Sequence, residues 1–315
     1  MRHFLQENDF SMEETAEVFS YAFELKSNRS KRPTTDLVGQ SWGMIFFKQS
    51  TRTRVSFEVG IRELGGNPLI LDQSSTQIGR GESIADTAKV LSRFLDGLII
   101  RAHGHEIIET FAKHSSIPVV NALTDFLHPC QIFADCMTLL EKMNTGTNPF
   151  VGLRGKKLAF FGDTSCNMAN SWILAGAMFG MEISLCGPEA FKPGRNILEL
   201  LENHNLSPTW SFTPTPEDGA KDADVVYTDV WVSMGCEEDS KSRLASMQPY
   251  QVDEKIMASA KDNCLFMHCM PAHPGEEVNQ SVLDSEYSIL FDQAENRLHM
   301  QKAILSKLSQ SNHTI

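Results

Sequence analysis

Five consecutive residues, Ser50-Thr51-Arg52-Thr53-Arg54, put three hydroxyls and two guanidiniums on one short stretch of chain. Hydroxyls donate and accept, and guanidinium offers a planar fork of donors. Together they suit an anion with several oxygens, phosphate above all. Other chemistry-bearing residues follow at wide intervals. Arg101 closes the apolar run Gly97-Leu98-Ile99-Ile100. His128 stands before Pro129-Cys130-Gln131. Gly162 to Asn167, Asp229 to Gly235, His268-Cys269-Met270-Pro271 and Arg297 complete the set. Cations, an imidazole and hydroxyls can stabilise an oxyanion, while a carboxylate and a thiol can hold an amine.

Each feature alone also has a plainer reading. The serine-arginine turn can be a capped helix with solvated arginines. His128 before a proline can simply introduce a helix. Asp229 can cap a turn, and Arg101 and Arg297 can be surface arginines. Cys264, His268, Cys269 and His273 have poor spacing for structural zinc, so no metal is expected. Gly162 stands without a G-x-G-x-x-G pattern, so no dinucleotide fingerprint is present. No cofactor is expected.

The elements that must position these groups are legible as alternation. Apolar runs at 42–47, 68–71, 97–101 and 117–121 read as strands, with helices near 51–64, 83–95, 105–114 and 129–143. Ser11-Met12-Glu13-Glu14 reads as a capping box opening an earlier helix. After 144–152, rich in Gly, Pro and Asn, strands at 157–161, 182–185, 224–227 and 264–267 alternate with helices near 167–179, 195–204 and 249–260. A last helix covers 294–308. Such a chain makes an α/β fold of two doubly wound parallel-sheet domains with an active-site cleft between them. The expected domains are 1–146, on which a final helix 294–310 packs back, and 147–293. Ligands in such sheets bind beyond the carboxyl ends of the strands. The segment 50–54 then lies at a strand-to-helix turn, where free N–H groups and the helix dipole favour an anion.

Bulk properties narrow the partners. With 315 residues, two domains are expected. A formal net charge of -12 argues against nucleic acid, so any anion site is a local focus of arginines. No apolar run is long enough to span a membrane, and the start lacks a signal-peptide core. Seven cysteines, an odd number without a Cys-x-x-Cys pair, fit reduced thiols in a cytoplasm.

The ordered motifs Ser50-Thr51-Arg52-Thr53-Arg54, His128-Pro129-Cys130-Gln131, Asp229 to Gly235 and His268-Cys269-Met270-Pro271 resemble those of the transcarbamoylases. The similarity is greatest to the ornithine carbamoyltransferases and runs from Phe4 to the Ala294-Glu295-Asn296-Arg297 segment. It implies a carbamoyl-phosphate domain and an ornithine domain. It implies that Ser50, Thr51, Arg52 and Thr53 grip phosphate, that Arg101, His128 and Gln131 meet the carbamoyl end, and that Arg297 closes over it. Cys269 and Met270 match positions facing the reacting amine and the carbamoyl group. Asn167, Asp229, Ser233 and Met234 match positions that hold the amino-acid end of ornithine. The resemblance also implies a homotrimer, or a multiple of trimers, with Gln77 reaching each site from a neighbouring subunit. Arg52, Thr53, Arg101, His128 and Cys269 are its catalytic set.

The chemistry suits these residues. An unprotonated amine attacks the carbonyl carbon of carbamoyl phosphate, a tetrahedral oxyanion forms, and phosphate leaves. Arg101, Thr53 and His128 suit the oxyanion, Arg52 suits the leaving phosphate, and neither metal nor covalent nucleophile is needed. The expected partners are carbamoyl phosphate and L-ornithine, with neither nucleic acid nor membrane. A carbamoyltransferase for a related amine and a non-catalytic metabolite-binding relative are the alternatives. Phe47, Thr164-Ser165-Cys166, Met270 and Pro274 depart from the common pattern.

Overall fold

The computed structural model describes residues 2–31, 34–72, 81–232 and 240–310. They fall into two units, Met1–Pro149 with Glu295–Ile315, and Phe150–Ala294.

The first unit is built on β1 (Ser41–Phe46), β2 (Asn67–Asp72), β3 (Gly97–Arg101) and β4 (Val119–Leu123), paired in the order β2-β1-β3-β4, all parallel. β3 is buried at every residue, as expected of a parallel strand covered on both faces. After β1 the chain crosses to β2 on one side, then returns to β3 on the other. The sheet's switch point therefore lies between the carboxyl ends of β1 and β3. Phe46 is register-paired with Arg101, and the Phe47 N–H donates to the Arg101 carbonyl at 2.9 Å. The turn that leaves β1 thus starts beside Arg101.

That turn becomes the helix Thr51–Glu63 because Ser50 caps it, accepting from the Thr53 N–H at 3.3 Å. Phe57 and Ile61 bury one face of this helix, each by roughly 1.5–3 kcal/mol of apolar transfer. It ends at Gly65, whose φ of +82° and crowding by Val38 exclude a side chain. The last helix, Leu290–Gln310, lies close against it at Gly60. A Cβ there would meet Lys302 at 3.2 Å and Leu298 at 3.5 Å. Lys302 then pairs with Glu63 at 2.9 Å, both buried. This close packing brings Arg297 to the start of the neighbouring helix.

The second unit repeats the plan with β5 (Lys157–Phe161), β6 (Glu182–Cys186), β7 (Trp210–Thr213), β8 (Val225–Thr228) and β9 (Leu265–His268), all parallel in the order β7-β6-β5-β8-β9. Its switch point lies between β5 and β8. Its core gathers Phe161, Val226, Val252, Ile256, Phe266 and Val278.

Four expectations need correction. β4 begins at Val119, two residues later than the apolar run, because Pro118 has no N–H for the ladder. β7 was not anticipated: it is a four-residue edge strand with no fully buried side chain. The stretch 249–260 is not one helix. A short 3-10 turn, Gln248–Tyr250, precedes an Asp253-capped helix, Glu254–Ser259. The last helix starts at Leu290. The capping box of Ser11 and Glu14 is present as read. Among the described residues, no helix is long and apolar enough to cross a membrane.

Candidate active site

In the first unit the arginines converge on one hydroxyl. The Thr53 side chain is fully buried, and its Oγ1 accepts from Arg297 Nη2 at 2.7 Å and from Arg101 Nη1 at 3.4 Å. These residues come from the helix start, the last helix and the end of β3. Both arginines are buried, so their charges act through little solvent. Ser50, Thr51 and Arg52 occupy the same turn, with Thr51 exposed. Arg54 points away and makes a 4.0 Å pair with Asp72, half exposed on both sides and of small energetic weight.

His128 precedes the helix Pro129–Lys142 and is buried. Burial, then the charges of Arg297 and Arg101, holds its pKa well below the usual imidazole value. It is therefore a neutral ring at physiological pH, able to donate one proton to an oxygen without titrating first. Gln131 donates from Nε2 to Asp135 at 2.8 Å. That bond turns its buried Oε1 the other way, as an acceptor with no donor among the described residues.

Four imidazoles of this unit resist protonation. Burial pushes His3, His105 and His299 each down to about 4, and moves His128 well down in the same direction. The unfolded chain takes up these protons near pH 6.5, but the folded chain takes up those of His3, His105 and His299 only near pH 4 and that of His128 only well below 6.5. Stability contributed by the neutral rings is present above pH 6.5 and falls as pH drops, by at most about 1.4 kcal/mol per pH unit for each ring. Urea unfolding of the whole chain at pH 7 and pH 5, where ordinary carboxylates stay ionised, should show a lower midpoint at pH 5. Equal midpoints would contradict these assignments.

In the second unit the candidate groups follow the carboxyl ends of β5, β8 and β9. Asn167 begins the helix Asn167–Phe179 directly after the turn that follows β5. Asp229 follows β8, and Cys269 follows β9. The Cys269 thiol donates to Asp229 Oδ1 at 2.9 Å, and the Val230 N–H reaches the same oxygen at 2.8 Å. Burial raises the Asp229 pKa, while His268, the Cys269 thiol and the Val230 N–H pull it back.

The segment carrying Cys269 and Met270 is braced from behind. The His268 N–H donates to Gln293, and the Met270 N–H donates to His268 Nδ1 at 2.8 Å. That makes Nε2 the protonated nitrogen, directed at buried Glu277 at 3.2 Å. Asp229, His268 and Cys269 hold ligand-type atoms within 4.8 Å of one another. Both nitrogens of His268 are already engaged, however, so a metal would gain only the carboxylate and the thiol. The other acid-rich group, His273, Glu276 and Glu277, includes that same committed Glu277.

Family models match both units. Residues 2–141 match the model of the aspartate/ornithine carbamoyltransferase carbamoyl-P binding domain, and residues 154–308 match that of the Asp/Orn binding domain. The chain belongs to the aspartate/ornithine carbamoyltransferase family. It is 45% identical over 309 residues to an ornithine carbamoyltransferase of Geobacter sulfurreducens, covering 98% of this chain and 99% of that one. Among solved structures it resembles the ornithine carbamoyltransferase from Pyrococcus furiosus, with a TM-score of 0.89, 41% identity and 96% of both chains covered. It also resembles the anabolic enzyme from Campylobacter jejuni, with a TM-score of 0.88, 36% identity, and 99% and 100% of the chains covered.

The candidate anion-side residues Ser50, Thr51, Arg52, Thr53, Arg101, His128, Gln131 and Arg297 all lie within the first unit. The candidates Asn167, Asp229, Cys269 and Met270 lie within the second. Gln77, Ser233 and Met234 lie outside the described residues. Two of its departures from the common pattern are absorbed locally. Thr164 is buried and donates to the Phe191 carbonyl, and Phe47 packs on the core beside β3. Reading the sequence missed Asp135, Glu277 and Gln293. Only Asp135 left a signal, four residues after Gln131 on one helix face.

Proposed function

We propose that this protein transfers the carbamoyl group of carbamoyl phosphate to the side-chain amine of L-ornithine, giving L-citrulline and phosphate. The observation that carries the reading is the convergence of Arg101 and Arg297 on buried Thr53, beside a neutral His128. Such a cluster suits a dianion whose charge moves from carbonyl oxygen to leaving phosphate during reaction.

Ser50, Thr51, Arg52 and Thr53 hold the phosphate, with Arg297 over it. The Gln131 Oε1 accepts from the carbamoyl NH2, which supplies the donor it lacks. Arg101, the Thr53 hydroxyl and His128 steady the oxyanion as the amine nitrogen bonds to the carbonyl carbon. The C–O bond to phosphate then breaks, its electron pair leaves on phosphate, and the departing phosphate takes up the proton that the amine gives up. Asn167 takes the α-carboxylate of ornithine and Asp229 its α-ammonium, and the family resemblance assigns Ser233 and Met234 to the same substrate. The Cys269 thiol and the Met270 carbonyl flank the reacting amine. No metal or cofactor has a part in this sequence.

In this reading the protein works as a trimer in the cytoplasm, with Gln77 of a neighbouring subunit completing each site. Exposed Val55, Leu69, Val90 and Phe94 on the first unit offer apolar surface for a second copy. Free thiols at Cys130, Cys136, Cys166, Cys186, Cys264 and Cys269 suit a reducing compartment.

The test is a carbamoylation assay with carbamoyl phosphate and ornithine, N-acetylornithine, putrescine, lysine or aspartate, on protein whose mass is read by light scattering. Ornithine alone should give a ureido product at a high rate, from a particle of three chains or a multiple. Product from another amine but none from ornithine would overturn the acceptor assignment, and a monomeric active particle would overturn the shared site.

A further inference from the structure

We infer that Arg243 is a positioning residue for the amine acceptor: it ties the turn that launches the Asn167 helix to the segment that carries Asp229. The inference rests on the reading above, in which Asn167 and Asp229 hold the two ends of one amino-acid head group. Those residues leave different strands, β5 and β8, so a head group fits only while the two loops keep their spacing.

Arg243 meets both loops at once. On the helix Ser240–Met247 its Nη2 donates to Asp163 Oδ2, and its Nε donates to the Trp231 carbonyl. Asp163 is the second residue after β5. Its other oxygen, Oδ1, takes the Ser165 N–H at 2.9 Å and the Ser165 hydroxyl at 2.6 Å. One carboxylate therefore shapes the turn before Asn167 with one oxygen and receives Arg243 with the other. Trp231 lies two residues after Asp229, so holding its carbonyl fixes the backbone on which Asp229 sits.

Two further contacts make this an anchored bridge. The Arg243 guanidinium stacks over Phe191, 4.7 Å from the ring centroid, and Phe191 in turn takes the Thr164 hydroxyl on its carbonyl. The Trp231 indole rests directly on Gly162, where φ is +106° and a Cβ would lie 2.8 Å from the indole nitrogen. The two loops thus touch at Gly162–Trp231 and are tied across Asp163–Arg243–Trp231. The ion-pair side chains are only 21% and 10% exposed, so the bridge is not an ordinary solvated surface pair. Lysine cannot copy it, because donating to a carboxylate and a carbonyl from one fixed fork requires the planar guanidinium.

The experiment is a kinetic double-mutant cycle on the full chain, with Arg243→Ala, Arg243→Lys, Asp163→Asn and the double variant Arg243→Ala/Asp163→Asn. Arg243→Ala should raise the KM for ornithine about tenfold or more, the scale of a lost charge-assisted bond pair. The KM for carbamoyl phosphate should stay within about twofold, since Arg243 contacts none of the anion-side residues. Arg243→Lys should give an intermediate ornithine KM, and the double variant should be little worse than either single variant. A general structural role would move both substrates' constants together. If Arg243→Ala does not fold, Arg243→Lys and Asp163→Asn carry the same selective comparison. An active wild type whose ornithine KM ignores these changes, or single effects that multiply in full, would overturn the inference alone. A wild type inactive with ornithine would overturn the functional reading and this inference with it.

Discussion

Arg101→Ala is expected to lower kcat/KM by at least about a hundredfold, roughly 3 kcal/mol of transition-state stabilisation. The magnitude follows from where the side chain sits. Arg101, only 8% exposed, ends a fully buried strand at the switch point, and its guanidinium reaches the Thr53 hydroxyl. A positive charge held there acts in a poor dielectric and does not need to reorganise when an oxyanion forms. Much of the loss should fall on kcat, because the carbonyl oxygen carries little charge before attack and a full charge at the tetrahedral stage. Arg101→Lys keeps the charge but loses the fork, and should recover only part of the rate. Arg52→Ala should cost a similar amount but show more strongly in carbamoyl phosphate binding, since phosphate is already charged in the ground state. Steady-state kinetics with both substrates varied would read the division. An Arg101→Ala enzyme within about threefold of wild-type kcat would remove Arg101 from the chemistry.

Much of this arrangement was legible because local chemistry and topology pointed the same way. The run Ser50 to Arg54 is a capped helix start after a buried strand, and both the cap and the helix form as read. Arg101 was recognisable as the polar end of an apolar run. Once parallel alternation is granted, the carboxyl ends of β1 and β3 must face the same side. Arg297 illustrates a limit. Its place in a helix is periodic, but its contact with Thr53 depends on packing at Gly60, between elements more than two hundred residues apart in sequence. β7 was missed because an edge strand of four residues needs little apolar content. The helix Ser240–Met247 was missed because its sequence, SKSRLASM, shows little apolar periodicity. Glu277 gave no signal because it lies in a loop, and its burial against His268 is a tertiary fact. Periodicity thus reports which face of an element is buried, while the polar groups that brace a site answer to partners that periodicity does not name.

Asp229 should show the most selective effect on the acceptor. Asp229→Ala is expected to raise the KM for ornithine by about a hundredfold while changing carbamoyl phosphate binding little. An ammonium that loses a counter-charge in a half-buried site forfeits a charge-assisted bond, and the candidate anion-side residues lie in the other unit. Alanine also releases the Val230 N–H and the Cys269 thiol, both of which donate to Asp229 Oδ1. Asp229→Asn separates the two effects: it keeps an oxygen for those donors and removes the charge. If Asp229 binds the ammonium, the asparagine variant should lose most of what the alanine variant loses. If Asp229 only shapes the turn, asparagine should be close to wild type and alanine should damage both substrates equally. Acidity gives an independent sign. Because burial raises the Asp229 pKa, its ionised form is lost at a higher pH than for an ordinary carboxylate. Ornithine KM should therefore climb on acidification earlier than an exposed aspartate would allow. That component should vanish in Asp229→Asn, where no carboxylate remains to titrate. Parallel KM-against-pH profiles for the two proteins would argue that the wild-type acid limb comes from ornithine's own amine and would leave Asp229 a structural residue.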